Sequence, residues 1–235
     1  MAIFQKPFSR SQMIEEGSSG TALQLISERH VACVFLLDTS GSMEDGDAIG
    51  QLNEGIKAFK NQTMDAHTKA CIDVAIVTFG GEVNVIQDFS PVTEMSVPKL
   101  SADGDTPMGE ALDLALDMIA EQKERYNTYG TPYFRPWVFC ITDGEPNDEY
   151  KHAADRLNQL ERATKVLGYC TGVRGFNKQK MKEIFNSERI FELDNCDFTS
   201  LFQFVSSSLA AVRNSDPDGG RTIDVEAPHT LKIAF

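Results

Sequence analysis

Four runs of almost unbroken apolar residues set the strongest limit on how this chain can fold: VACVFLL at 31–37, CIDVAIVTF at 71–79, WVFCIT at 137–142 and KVLGYCTGV at 165–173. A strand with one wet face alternates apolar and polar side chains. A strand that is apolar throughout is covered on both faces, as in a parallel sheet between helices. Segments of helical periodicity separate the runs. Ile49, Leu52, Ile56 and Phe59 recur every three or four residues, as do Ala111, Leu112, Ala115 and Ile119. Ala153, Leu157 and Leu160 outline another helix, and Phe198, Leu201, Phe202, Val205 and Leu209 the last. The helix that starts at Met108 is expected to run to about Tyr126. EVNVIQDF at 82–89 follows Gly80-Gly81, a turn signal that makes it an antiparallel edge strand. RIFEL at 189–193 supplies a sixth strand, and Asp197 caps the final helix. The order predicts an α/β fold: a doubly wound, mostly parallel six-stranded sheet with one antiparallel edge strand and helices on both faces. Residues 1–28 read as an N-terminal extension, 29–213 as one domain, and 214–235 as a tail or a docked strand.

The 235 residues carry a net charge of −13, which argues against nucleic acid or an anionic membrane as partner and is compatible with cation binding. No apolar stretch approaches the roughly 20 residues of a membrane span, and none near the start has the length of a secretion signal. Five cysteines, Cys33, Cys71, Cys140, Cys170 and Cys196, form no CxxC pair, and four lie in strand-like runs. That is the pattern of reduced thiols in a cytoplasmic protein. The four histidines, His30, His67, His152 and His229, lack metal-ligand spacing and read as surface residues.

Polar clusters fall where a doubly wound sheet binds ligands, at the carboxyl ends of its strands. DTSGSM follows the first apolar run and puts Asp38, Ser40 and Ser42 at alternate positions, so three side-chain oxygens can converge. Thr106, in GDTPMG, precedes a helix; Asp143, in TDGEPND, ends a buried strand. Together the five make an all-oxygen set suited to Mg²⁺, with Mn²⁺ or Ca²⁺ as alternatives. Taken singly, Ser40, Ser42 and Thr106 before apolar helices read as helix caps. Asp103, Asp105, Glu145 and Asp148 read as solvated loop carboxylates.

In order and context the five residues match the D-x-S-x-S, Thr and Asp signature of the von Willebrand factor type A family and its metal-ion-dependent adhesion site. The chain resembles that family over roughly residues 30–212. The phrasing FLLDTSGSM, GDTPMGEAL and ITDGEPND is similar to its bacterial stand-alone branch, the tellurite-resistance-associated TerY proteins. The resemblance implies a non-catalytic protein-binding module. Ser40 and Ser42 would bind the ion directly, and Thr106, Asp38 and Asp143 directly or through water. An open position would accept a carboxylate from another protein. The resemblance further implies a cytoplasmic, stress-response or phosphorylation-linked setting, with a protein kinase or phosphatase encoded nearby as partner. The alternative is a Mg²⁺-dependent phosphohydrolase with Asp38 as nucleophile. Such an enzyme wants an acid–base Asp two residues on, where this chain has Ser40, and a Lys that the strand-end motifs lack.

Overall fold

Each of the four apolar runs is a buried strand. In the computed structural model, which describes residues 28–62, 71–173, 175–193, 196–213 and 231–233, the strands are β1 (Val31–Asp38), β2 (Ile72–Gly80), β3 (Glu82–Pro91), β4 (Trp137–Thr142), β5 (Leu167–Val173), β6 (Ile190–Leu193) and β7 (Leu231–Ile233). The helices are α1 (Ala48–Gln62), α2 (Met108–Tyr129), α3 (Lys151–Arg162), α4 (Lys178–Ile184) and α5 (Phe198–Arg213). The sheet order is β3-β2-β1-β4-β5-β6-β7. Five central strands are parallel, and β3 turns back antiparallel on β2 through the Gly80-Gly81 hairpin, as expected. The three residues of β7 pair antiparallel with β6 and add a second antiparallel edge. The rest of the segments read as an N-terminal extension and a C-terminal tail lies outside the described residues, Glu28 excepted.

All eight residues of β1 are buried, because its alternate side chains feed opposite faces. Val31, Cys33, Phe35 and Leu37 pack with Phe59 of α1 and Phe202 of α5. Val34 and Leu36 pack with Leu112, Ala115 and Leu116 of α2. The Phe35 ring has its centroid 5.1 Å from Phe59, 5.3 Å from Phe202 and 6.1 Å from Phe139, all edge-on. Among the described residues no helix is long and apolar enough to cross a membrane. All five cysteines are buried thiols, none in a disulfide among the described residues.

Two expectations are corrected. Helix α2 runs three residues past Tyr126, through an exposed turn with no apolar signal to mark it. His30 is not a surface residue: its side chain is 15 % accessible and its Nδ1 lies 2.7 Å from Asp73 Oδ2. The Tyr126 hydroxyl donates to the same oxygen at 2.5 Å. This buried network sits at the amino end of the sheet, where long-range pairing decides what local spacing cannot. His152 is exposed, with Nδ1 2.9 Å from Asp113; His67 and His229 lie outside the described residues.

Candidate metal centre

Asp38 is the last residue of β1, and the chain then leaves the sheet for a 3₁₀ turn at Gly41–Asp47. Main-chain bonds lace this loop to the segment before α2. The Gly41 amide donates to the Gly104 carbonyl at 3.0 Å, and the Asp103 amide to the Thr39 carbonyl at 2.8 Å. The Gly81 amide donates to the Asp105 carbonyl at 2.8 Å. Gly104 has φ +72°, and a Cβ there would stand 2.5 Å from Gly81 Cα, so only glycine allows this approach. The segment after β4 joins them: the Asn147 amide donates to the Thr106 carbonyl at 3.2 Å.

The side chains follow. The Ser40 amide donates to Asp38 Oδ1 at 2.8 Å. The Ser40 and Ser42 hydroxyl oxygens are 3.2 Å apart, and the Ser42 hydroxyl donates to Asp143 Oδ1 at 2.8 Å. Thr106 Oγ1 and Asp38 Oδ2 lie 3.4 and 3.8 Å from the point where a Cβ on Gly144 would stand. All five residues singled out from the sequence therefore meet in one place. Asp38, Ser40 and Thr106 are buried, whereas Ser42 is exposed and Asp143 half-buried, so the cluster is closed beneath and open above.

Burial pushes the Asp38 carboxyl up to about 6, against the opposing hydrogen bonds of Ser40 and Thr142, and the nearby Asp143 adds to the rise. Among the described residues no Lys or Arg forms an ion pair with Asp38. A buried carboxylate without a cationic partner is costly. The arrangement of two carboxylates with three hydroxyls, all oxygen, fits a hard divalent ion. Among the described residues no three His, Cys, Asp or Glu side chains converge elsewhere to compete for one.

The helix-cap reading of the hydroxyls fails. Ser40 stands at the start of the 3₁₀ turn without a side-chain capping bond, and the residue at the cap position of α2 is Pro107, which has none either. Asp148 does the capping instead, accepting from the Gly109 amide at 3.0 Å and the Glu110 amide at 2.8 Å. It is no solvated carboxylate, and Glu145 also has a partner, Asn177 Nδ2 at 2.7 Å. Asp103 and Asp105 are exposed, as expected. Asp148→Ala should lower stability by about 1–2 kcal/mol, read as a lower urea midpoint at unchanged slope. An unmoved midpoint would deny Asp148 this role.

The sequence reading missed Thr142. Its hydroxyl donates to Asp38 Oδ2 at 2.5 Å and accepts the Gly144 amide at 3.1 Å. The signal was available in the register. Leu37 pairs with Ile141, so Asp38 and Thr142 are the polar ends of two neighbouring apolar runs.

Residues 33–206 match the von Willebrand factor type A domain family. Among solved structures, a von Willebrand factor type A protein from Catenulispora acidiphila is similar at 17 % identity and TM-score 0.61, over 79 % of this chain and 43 % of that one. Proximal thread matrix protein 1 of the mussel byssus, solved with a zinc-occupied MIDAS motif, is similar at 19 % identity and TM-score 0.54, over 79 % and 46 %. Manganese-loaded TRAP protein from Plasmodium vivax is similar at 20 % identity and TM-score 0.54, over 74 % and 72 %. The chain thus spans less than half the length of the first two, and at these identities the likeness is one of fold.

Proposed function

The chain belongs to the von Willebrand factor type A family, and from that premise we propose that it is a metal-ion-dependent protein-binding module. In this reading Asp38, Ser40, Ser42, Thr106 and Asp143 hold one divalent ion, Mg²⁺ by preference, and the ion captures a carboxylate from another protein. Family members bind metal at such a motif and mediate protein interactions. The observation that carries the reading to this chain is the meeting of those five side chains around a buried carboxylate that lacks a cationic partner. The ion would supply the missing positive charge and a Lewis-acidic position for the incoming oxygen. The open upper side, at exposed Ser42, is the side from which a partner would approach.

A nucleophilic role for Asp38 is disfavoured. The residue is 0 % exposed, and each of its oxygens already accepts a hydrogen bond, one from the Ser40 amide and one from Thr142. Attack on a phosphoester would need an oxygen that a substrate can reach from solvent, and an acid–base group beside it where this chain has Ser40. The motif phrasing supports the stand-alone bacterial branch. A cytoplasmic protein whose partner is a kinase or phosphatase is what that branch implies.

Affinity capture by wild type and by Asp38→Ala, each in Mg²⁺ and in chelator, tests the reading. The expected outcome is partners retained only by wild type in Mg²⁺. The same partners bound in chelator, or hydrolysis of a generic phosphoester lost in Asp38→Asn, would replace it.

A further inference from the structure

We infer that Thr142 is a positioning residue for the ion: its hydroxyl, itself held by the Gly144 amide, fixes the Asp38 carboxylate in the orientation that ion binding needs. This rests on the ion-binding reading above and extends it to a residue outside the five-residue set.

The argument starts from what a hydroxyl can do. A threonine carries one O–H donor and two acceptor lone pairs. An amide can only donate, so the Gly144 bond at 3.1 Å must use a lone pair of Oγ1. The single proton is then left for Asp38 Oδ2, 2.5 Å away. The direction of the chain is thereby set: amide to hydroxyl to carboxylate. Aligned donors polarise one another, so the last bond is the strong, charge-assisted one.

Asp38 needs such a holder. Its Oδ1 is fixed by the Ser40 amide at 2.8 Å, but bonds from Ser40 alone, on the same loop, leave Oδ2 free to swing. The bond from Thr142 to Oδ2 removes that freedom. Thr142 can serve because it is itself immobile: it is 0 % exposed, ends β4, and stands on the strand paired with β1. The same Gly144 that donates to it leaves Thr106 Oγ1 and Asp38 Oδ2 facing a point with no side chain between them. One short segment, Thr142 to Gly144, thus contributes a charged oxygen at Asp143, aims a second at Asp38, and keeps the intervening space clear.

The rival is a purely structural role, with the hydroxyl closing a turn on the Gly144 amide or filling space. Thr142→Val keeps the shape and removes the hydroxyl; Thr142→Ser keeps the hydroxyl and removes a methyl. Mn²⁺ affinity of the full chain, measured by titration calorimetry and by the electron paramagnetic resonance of free Mn²⁺, should fall about 10- to 100-fold in Thr142→Val. It should stay within about threefold of wild type in Thr142→Ser. A turn-closing or space-filling role would instead move the chelator-bound melting temperature and leave the Mn²⁺ affinity of the folded fraction alone. If Thr142→Val does not fold, Thr142→Ala carries the same comparison with Thr142→Ser. Wild-type affinity in the hydroxyl-free variant, with wild type itself binding Mn²⁺, would overturn this inference alone. A wild type that binds no Mn²⁺ would overturn the ion-binding reading, and this one with it.

Discussion

Asp38→Asn should cost at least about 100-fold in Mn²⁺ affinity, beyond the range for residues that only support a metal's ligands, while making the metal-free protein less sensitive to pH. The first half follows from removing the only buried charge in the cluster. The second follows from the raised pKa. Asp38 sits at about 6 in the folded chain, against 3.8 for an exposed carboxyl. The folded state therefore holds the proton more tightly than the unfolded one. Stability from this group is fully present below about pH 4 and is lost as pH rises through about 6. Integrated over that window the loss is at most about 3 kcal/mol. In chelator, wild type should weaken relative to Asp38→Asn between pH 4 and 6, seen by urea unfolding at several pH values. Ion in excess should close most of that gap at neutral pH. An ion at about one hundred times the wild-type dissociation constant adds roughly 2.7 kcal/mol to wild type and at most about 0.4 kcal/mol to the variant. Equal Mn²⁺ binding by the two proteins would remove Asp38 from the site.

Phe35→Ala should destabilise the fold by about 3–5 kcal/mol, a large fraction of the roughly 5–15 kcal/mol that holds a domain together. Phe35 is 1 % exposed and meets three rings, Phe59, Phe139 and Phe202, from α1, β4 and α5. Truncation removes the buried area and leaves a cavity between elements that the sheet holds apart, so collapse can recover little. The urea midpoint should fall by more than about 1 M, with ion affinity of the remaining folded protein unchanged. A loss below about 1 kcal/mol would show that these elements can close over the gap.

The parts of the fold that were legible are those in which burial writes a one-dimensional pattern. The run VACVFLL is apolar throughout because both faces of β1 are covered, and Leu52, Ile56 and Phe59 mark the phase of α1 directly. The candidate site was legible because its residues cluster at strand ends, where short stretches of sequence stay together in space. Contacts between distant segments were not legible. Asp148 reaches 39 residues back to cap α2, and Asp73 collects His30 and Tyr126 across gaps of 43 and 53 residues. Thr142 hid inside WVFCIT because a threonine that ends an apolar strand is ordinary; only the register beside Asp38 gives it meaning. The three residues of β7 are too few to carry an alternation.

Helix α2 is fastened at both ends to different poles of the sheet. Asp148 grips its first free amides beside the candidate ion, and Tyr126, near its last turn, bonds Asp73 at the amino end of β2. The helix is thus a tie rod: it cannot slide along its axis without breaking a bond to a carboxylate at one end or the other. A pull delivered through a captured partner would load the Asp143 and Thr106 loops together, since Asn147 and Asp148 bind them to each other. The tension would then pass down the stiff helix from Gly109 to Tyr126, toward the far side of the sheet.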